Sequence, residues 1–593
     1  MIGSTLQKAS RARGETARPL ALFLALSVFD GLYFPKELLI FSFALSVYLL
    51  LSYLYSRYNF APETSSAFGV TDSLLIGMFL LSILGLLQPI KVKDGLIEAL
   101  RWGILWFGYR LGLGISSNQH EKARLVSYIE WGAIVVALLG WLPYVSKSAG
   151  RLSSVIGYPN VTAAFFGAVL LLYPQRRLVQ IFLGISLLAT GSRAGVGLFL
   201  VILTGQQILL GIPSFYKLRE SFKAQRIKVL WVMLLALVST VLMFLYNRPV
   251  WQNLTSGGFS SSSWQERLVY YKDGITLAWN SGGFPQAGGW MAFPTVQRFP
   301  YWTADPHSSF IHILLNQGVL GILSISVWLS YSLLQAWKYW GKNRLSIKSR
   351  LGSEETKAQV RVGAALLFLG IHSLVDADFS FAALGFLFWT LFGSLRKREE
   401  RTRPFLLRNR LATNLSRKGI LVLSLTLCIF SGSALLRANI LEKEQSLNSQ
   451  AVQQREHDPV RSMALWNLSL NWDQTQVGPR REQAELLLST GNIDNGLTAI
   501  EAVLHWQPLD LKAYEWAQSL VWDTAEAQRQ IHPEKATMLY HWVEGVPQRI
   551  EHSVAILTPT EQLLWRGYPE FLPSQHIKLL AENARQRQLP LAK

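Results

Sequence analysis

The residues best suited to chemistry lie at the end of a polar segment, residues 248–307, that interrupts a strongly apolar chain. The segment leads into Asp-Pro-His-Ser-Ser-Phe (305–310), after which apolar residues resume. Amide groups at a helix N-terminus disfavour a positively charged imidazole, so a histidine there can accept a proton near pH 7. His307 is therefore a candidate general base. The alternative is a surface histidine that only caps the following helix.

Arg193 is a candidate phosphate ligand. It lies in Gly-Ser-Arg-Ala-Gly (191–195), where one apolar stretch ends and the next begins. A guanidinium offers a fixed fork of N–H donors that matches two phosphate oxygens. In the alternative interpretation, the segment is a tight helical turn whose arginine lies among lipid headgroups.

Other polar residues also stand at the ends of apolar stretches. His372 and Asp376 are one helical turn apart, so on a helix they would share a face. Such a pair could position a second catalytic group or could hold two helices together. Asn160, in Gly-Tyr-Pro-Asn (157–160), could be a helix N-cap, and Arg151 is a nearby exposed cation that could equally be structural.

The polar segment contains a predicted surface helix. Its apolar residues recur at helical spacing, which predicts an amphipathic helix along the membrane surface with Arg267 on or near its polar side. These apolar residues are Trp264, Leu268, Tyr271, Ile275 and Trp279.

Membrane-spanning helices must position these residues. Half of the 593 residues are hydrophobic, and they occur in blocks near the length of roughly 20 residues that crosses a bilayer as a helix. We therefore predict an all-α, polytopic bundle of 12 or 13 spans. The predicted spans are 19–34, 37–55, 73–88, 96–115, 128–146, 158–173, 178–192, 194–211, 229–247, 308–337, 358–378, 380–395 and 419–436.

The distribution of basic residues predicts the orientation. They cluster in 174–177, 212–228, 338–357 and 396–418, all of which fall on one side when the spans alternate. Basic connections are typical of the cytoplasmic side, so the N-terminus is expected inside and the C-terminus outside. The segment 248–307, whose charges nearly balance, falls outside. The formal charge of +19 is thus interpreted as topology and not as a nucleic-acid partner.

The chain divides into a predicted membrane domain, 1–438, and a polar extracytoplasmic domain, 439–593. Residues 483–517 have the pattern of two short amphipathic helices with a glycine turn, closed by a proline, which is typical of a tetratricopeptide unit. Such a domain could bind a protein partner. The alternative is an unspecialised helical tail.

Two local features complete the picture. The single cysteine, Cys428, excludes an intramolecular disulfide framework and a cysteine metal cluster. The N-terminal basic residues precede an apolar stretch without a convincing cleavage site, so we expect a retained first span and not a removed signal peptide.

Together, these motifs resemble the O-antigen ligase and polymerase superfamily of bacterial membrane glycosyltransferases. The resemblance covers roughly residues 150–395 and lies in the order of the motifs. The matching pieces are Gly-Tyr-Pro-Asn (157–160), Ser-Arg-Ala-Gly (192–195), Arg267 in the loop helix, His-Ser-Ser-Phe (307–310) leading into Asn-Gln-Gly-Val-Leu-Gly (316–321), and the span end from His372 to Asp376.

The resemblance implies a reaction. Enzymes of this family transfer a glycan from a polyprenyl-diphosphate carrier, such as undecaprenyl diphosphate, to an acceptor on the extracytoplasmic side of the bacterial inner membrane, with inversion and without a metal or other cofactor. His307 would be the general base. The diphosphate ligands would be Arg193, Arg267, Arg151 and Arg110, supported by Asp376, His372 and Asn160.

Several alternatives stay open at the level of sequence. The acceptor could be a lipid, a growing polysaccharide or a protein, so the enzyme could be a ligase, a polymerase or a protein O-oligosaccharyltransferase. The C-terminal domain is not part of the minimal ligase pattern. A transporter of lipid-linked glycans is less favoured, because it should show internal repeats and ionisable groups at mid-membrane. Arg110 fits either class. A scaffold that uses the membrane domain only as an anchor would not need thirteen spans.

Overall fold

The computed structural model describes residues 17–58, 68–210, 262–342, 354–395 and 409–588, apart from positions 117, 143, 144, 146, 149, 173–175, 438–440 and 567. The predicted span 229–247 and the beginning of the polar segment 248–307 lie outside the described residues. The same holds for the basic segment 212–228 and most of 396–418.

The described chain is predominantly α-helical, as predicted. In these ranges the strands are two short antiparallel ones, β1 (Lys147–Ser148) and β2 (Arg151–Leu152). The helices that precede the C-terminal domain are α1 (Ala17–Ser27), α2 (Pro35–Tyr58), α3 (Val70–Leu84), α4 (Val92–Ile115), α5 (Gln119–Trp141), α6 (Pro159–Leu171), α7 (Arg177–Ala189), α8 (Arg193–Leu210), α9 (Ser262–Asn280), α10 (Ser309–Asn316), α11 (Gly318–Lys342), α12 (Glu354–Val375), α13 (Ala382–Leu395) and α14 (Asn409–Leu436).

Seven of the described helices are long and apolar enough to cross a membrane: α2, α3, α5, α8, α11, α12 and α14. Four shorter helices, α1, α6, α7 and α13, are also apolar. Two of these, α6 and α7, have 13 residues each. At 1.5 Å per residue they are about 20 Å long, short of the roughly 30 Å hydrocarbon core. The set fits a multi-pass membrane protein.

The predicted span 96–115 corresponds to α4, which lies at the centre of the bundle. Almost all of its residues are buried, including Glu98, Arg101 and Arg110. It packs against α13 with the two backbones in close approach, because a side chain at Gly112 or Gly393 would collide with the other helix. Small residues permit this kind of contact between membrane helices.

The predicted span 308–337 is two helices and not one. Helix α10 ends at Asn316, and α11 begins at Gly318 with φ of +68°. The backbone carbonyl of Gly283 lies where a side chain on Gly318 would stand, 2.5 Å from the ideal Cβ position. The chain therefore breaks here because another segment of the loop packs against the turn.

The connections that carry the candidate site residues meet at one end of the bundle, which we call the site end. The turn between α5 and α6 contacts the turn after α7 through Arg151 Nε and the carbonyl oxygen of Thr190, 2.7 Å apart. The turn between α1 and α2 contacts the turn after α12, where the rings of Tyr33 and Phe381 stack with centroids 4.6 Å apart.

Residues 262–308 form the loop domain, which packs on the site end. Its interior is an aromatic cluster. Helix α9 turns one face toward this cluster and leaves Leu268, Ile275 and Trp279 exposed, the last to 84 %. A helix is therefore present where the apolar spacing predicted one. The aromatic cluster contains Tyr270, Trp290, Phe293, Phe299 and Tyr301.

The C-terminal domain is helical and contacts both the loop domain and the segment that precedes α4. Lys272 Nζ lies 2.9 Å from Glu561, and the backbone N–H of Gln474 donates to the carbonyl of Ile90 (2.8 Å). Helices and a glycine turn occur where the sequence predicted them, although their assignment as tetratricopeptide units stays a prediction. The helices are α15 (Lys443–Gln454), α16 (Pro459–Trp472), α17 (Gly478–Ser489), α18 (Ile493–Trp506), α19 (Leu511–Gln528), α20 (Pro533–Ala555), α21 (Pro559–Trp565) and α22 (Gln575–Gln588).

The loop domain contains a buried acid whose ionisation opposes folding. Burial raises the pKa of Asp273 to about 6, although the hydrogen bond donated by the Tyr301 hydroxyl (2.6 Å) lowers it. The folded protein thus holds this proton more tightly than the unfolded chain, whose value is near 3.8. The contribution of Asp273 to stability is full below about pH 4 and is lost as the pH rises through 6.

We therefore expect Asp273→Asn to stabilise the protein at pH 7.5, by roughly 1–3 kcal/mol, because the amide keeps the acceptor for Tyr301 without the charge. The difference from wild type should shrink as the pH falls to 5. Thermal unfolding of both detergent-solubilised proteins over this pH range measures the stability difference at each pH. A variant less stable than wild type at pH 7.5 would contradict the assignment.

Candidate functional site

A buried carboxylate, Asp376, is at the centre of the site. It directly follows α12, and its side chain is almost completely buried. Its Oδ2 accepts hydrogen bonds from Asn160 Nδ2 (2.7 Å) and Arg267 Nη2 (3.0 Å). Its Oδ1 accepts one from the backbone N–H of Ala377 (2.9 Å). The carboxylate therefore joins the beginning of α6 and the loop helix α9 to the end of α12.

Arg151 and Arg193 add two further guanidinium groups to this end of the bundle. Arg151 Nη2 donates to Asn160 Oδ1 (2.6 Å), which links it to Asp376 through the amide. Gly191 packs against the Arg151 side chain, so the Gly-Ser-Arg-Ala-Gly turn brings Arg193, the first residue of α8, to the same place. Three guanidinium groups from three separate elements thus converge at the site end.

The pKa values of this cluster are shifted by burial and by the neighbouring charges. Burial lowers the pKa of Arg151, and the positive charges of Arg267 and Arg193 lower it further. Tyr158 and Asp376 act in the opposite direction and raise it. Burial raises the pKa of Asp376, but the neighbouring His307 and Arg267 outweigh burial and hold it well below its usual range. Asp376 is therefore ionised at neutral pH.

The charges of the cluster do not cancel. Arg267 contacts the Asp376 carboxylate, and Arg151 is linked to it through Asn160. Arg193 adds a third guanidinium near Arg151, so the guanidinium groups outnumber the carboxylates beside them, those of Asp376 and Glu266. Guanidinium groups bind phosphate oxygens in pairs through their planar fork. Such an arrangement can bind a multiply charged anion and can stabilise negative charge that develops on it.

The backbone of His307 is held in a strained conformation. Its φ of +52° lies in the left-handed region, which is uncommon for residues with a side chain and costs of order 1 kcal/mol or more. Asp305 Oδ1 accepts the N–H of His307 (2.9 Å), and the Tyr271 hydroxyl donates to its carbonyl (3.1 Å). Strain maintained by specific contacts is typical of functional residues.

The ring of His307 lies between Tyr158 and Tyr270, with ring centroids 6.1 and 5.9 Å away. Its Nδ1 is 3.7 Å from Asp376 Oδ1, too long for a hydrogen bond but close enough for the carboxylate to orient an Nδ1–H. The side chain is 24 % exposed. Its Nε2 lies 3.4 Å from the Thr303 hydroxyl, a long contact that a bound acceptor hydroxyl would replace. In that position Nε2 can serve as a base, while Asp376 stabilises the imidazolium.

Behind His307, a second polar network fixes Asp305. Asp305 Oδ2 accepts a hydrogen bond from the Ser380 hydroxyl and lies 3.3 Å from His312 Nδ1. His312 Nε2 is 3.1 Å from Glu98 in α4. Burial raises the pKa of Asp305, but the contact with His312 outweighs burial and lowers it. The network connects the segment that carries His307 to the central helix of the bundle.

Six of the sequence-predicted residues come together here: His307, Arg193, Arg267, Arg151, Asn160 and Asp376. Arg110 does not. It lies 3.3 Å from buried Asp72. In α4 it is twelve residues, about 18 Å, beyond Glu98, the residue of this helix that contacts His312.

The predicted pairing of His372 with Asp376 needs correction. His372 Nδ1 is instead 2.6 Å from Asp378 Oδ2, and both side chains are fully buried. The physical reason is that α12 ends at Val375, so Asp376 leaves the helical face that carries His372. His372 therefore ties α12 to the following turn, within electrostatic range of Asp376 and Arg267 but without a hydrogen bond to either among the described residues.

Sequence reasoning missed several contributors. The sequence places Tyr158 in the Gly-Tyr-Pro-Asn motif but assigns no role to it, and it shows Asp305 only as a neighbour of His307. Both become visible through contacts between residues far apart in the chain. Within the described ranges, no group of three or more His, Cys, Asp or Glu side chains is arranged to hold a metal ion.

Comparisons with known proteins do not identify a family. No protein-family model matches the sequence, and no curated protein matches it.

The role of Asp305 predicts a large effect on stability. Asp305→Ala would leave the His307 N–H, Ser380 and His312 without their shared acceptor, and lost partners of buried polar groups cost roughly 2–5 kcal/mol in total. The pKa of Asp305 is lowered on folding. Its contribution to stability is therefore present at pH values above the pKa of the unfolded chain, and it is lost as the pH falls through the pKa of the folded protein.

Thermal unfolding of Asp305→Ala at pH 7 should therefore show a clearly lower midpoint than wild type. Asp523→Ala, at an exposed aspartate in the interior of α19, is the matched control and should change stability by no more than about 0.5 kcal/mol. Equal midpoints for the two variants would show that the Asp305 network does not hold the loop.

Proposed function

We propose that this protein is a membrane glycosyltransferase that moves a glycan from a polyprenyl-diphosphate carrier to an acceptor hydroxyl. The observation that carries the proposal is the convergence of Arg151, Arg193 and Arg267 with His307 around the buried Asp376. The reaction requires a site that binds a multiply charged anion and a base that removes a hydroxyl proton.

The charge of the cluster matches the proposed donor. A glycan linked through a diphosphate to a lipid is a multiply charged anion, and the three guanidinium groups outnumber the nearby carboxylates of Asp376 and Glu266. When the carrier diphosphate leaves, its charge needs stabilisation and not protonation. Arginines placed beforehand supply this stabilisation directly.

The proposed chemistry uses His307 as the general base. Nε2 removes the proton of the acceptor hydroxyl as its oxygen attacks the anomeric carbon of the donor sugar. The bond between that carbon and the phosphate oxygen breaks on the opposite face, and its electron pair leaves with the polyprenyl diphosphate. The new glycosidic bond has inverted configuration, and Asp376 stabilises the imidazolium through Nδ1.

The location and the motifs support this assignment. The cluster lies at one end of a bundle of apolar helices, beside the loop domain, where a carrier lipid in the membrane would present its headgroup. The motifs resemble the O-antigen ligase and polymerase superfamily, which works on the extracytoplasmic face of the bacterial inner membrane, and we propose that location with the N-terminus in the cytoplasm. The same chemistry serves lipid, polysaccharide and protein acceptors, so we propose the type of reaction and not the identity of the acceptor.

The direct test is glycan transfer by the purified protein from a polyprenyl-diphosphate-linked glycan. His307→Ala should lower the rate by about 10²–10⁴-fold, the usual contribution of a general base. Arg193→Ala should also cause a large loss. Arg298→Ala, at an exposed arginine of the loop domain, is the control and should retain transfer.

Full activity of both His307→Ala and Arg193→Ala would refute the proposed mechanism. Movement of the intact lipid-linked glycan across a vesicle membrane, without cleavage from its carrier, would instead identify a transporter.

A subtler substitution separates charge from geometry. Arg193→Lys keeps the positive charge but lacks the planar fork that binds two phosphate oxygens. We expect a loss of transfer close to that of Arg193→Ala, measured as kcat/KM for the donor in the same assay. Near-wild-type activity of Arg193→Lys would show that Arg193 acts only as a point charge.

A further inference from the structure

A second concave site lies between the loop domain and the C-terminal domain. It is a cleft of about 370 Å³, within the range of roughly 300–1,000 Å³ that is typical of small-molecule sites. Its main lining residues are Gln297, Tyr301 and Trp302 from the loop domain and Trp506, Gln507 and Tyr568 from the C-terminal domain.

Aromatic rings dominate the cleft. Trp302 is 78 % exposed and Tyr568 is 41 % exposed, although large aromatic side chains are normally covered. The ring of Trp506 is mostly buried and is fixed by the guanidinium of Arg480, 5.2 Å from its centroid. The cleft thus combines a rigid aromatic floor with aromatic rings that stand open to a ligand.

Most of the polar side chains of the cleft are amides, with one carboxylate. Gln297 Oε1 is buried and accepts no hydrogen bond from the part of the chain that the structure describes. Gln507 Oε1 accepts a hydrogen bond from Arg481 (2.9 Å), which fixes the orientation of its amide. Asp510 is the charged residue of the lining, and it caps α19 through the N–H of Lys512. Because the Gln297 oxygen is covered by the protein, the Gln507 amide is the better-defined polar group for a ligand in the cleft.

This composition matches a neutral sugar chain. A pyranose ring presents C–H groups on its faces and hydroxyl groups around its rim. The C–H groups pack on the negative faces of aromatic rings, and the hydroxyl groups both donate to and accept from amides. A polyanion would find no arginine in the lining, and a purely apolar ligand would cover the Gln507 amide without a hydrogen bond to it.

The cleft is close to the candidate catalytic site. The ring of Tyr301 lies 4.7 Å from that of Tyr270, whose ring lies 5.9 Å from that of His307. Two ring contacts therefore separate the cleft from the base. We propose that the cleft binds sugar residues of the glycan chain that extends from the reaction centre, an assignment that rests on the proposed function for the identity of the ligand.

Binding of a carrier-free glycan tests the proposal separately from catalysis. The probe is the oligosaccharide released by mild acid from the polyprenyl-diphosphate pool of the source cells, titrated into the full-length protein by calorimetry. We expect saturable binding that Trp302→Ala weakens at least tenfold and that Gln297→Ala also weakens. Trp279→Ala removes an equally exposed tryptophan of the same domain outside the cleft and should stay within twofold of wild type.

The outcomes separate this proposal from the proposed function. Arg193→Ala should bind the free glycan as wild type does, because the probe has no diphosphate. Glycan binding that depends on Trp302 in a protein without transfer activity would support the cleft and refute the transferase. No saturable binding, or equal affinity of Trp302→Ala and wild type, would overturn the cleft.

Where transfer occurs, steady-state kinetics identify the source of the sugar chain. A raised KM of Trp302→Ala for the donor places the donor glycan in the cleft, and a raised KM for the acceptor places the acceptor there. Unchanged values of both constants would contradict a glycan site in the cleft.

Discussion

The structure of the site depends on the burial of one carboxylate. A buried charge without partners is strongly destabilising, so Asp376 requires donors, and it receives them from Asn160 of α6 and Arg267 of the loop helix. Three guanidinium groups, conversely, could not approach each other without an anion. Asp376 thus draws the loop domain onto the bundle and leaves an excess of positive charge beside His307.

A second constraint places the base. The left-handed backbone of His307 is maintained by Asp305, and Asp305 is held in turn by His312, which contacts Glu98 of the central helix. The position of the imidazole therefore depends on the interior of the bundle as well as on the loop. The C-terminal domain adds to this framework, since Trp506 and Leu564 belong to the aromatic cluster of the loop domain.

Much of this arrangement could be predicted from local sequence. Arg193 and His307 stand at the ends of apolar stretches, and the spacing around Arg267 is helical. The partners could not be predicted, because Asn160 and Asp376 are separated by 216 positions and no local pattern relates them. The polar pair Asn316 and Gln317 precedes the break at Gly318 but is too short a signal to end a predicted span. The contact with Gly283 explains the turn.

The central claim is that the arginine cluster recognises a diphosphate headgroup. The most direct measurement compares the binding of undecaprenyl diphosphate and undecaprenyl monophosphate to the purified protein in detergent. The account predicts that the diphosphate binds at least tenfold more tightly and that Arg267→Ala abolishes this preference. Equal affinity for the two headgroups, or an undiminished preference in Arg267→Ala, would contradict it.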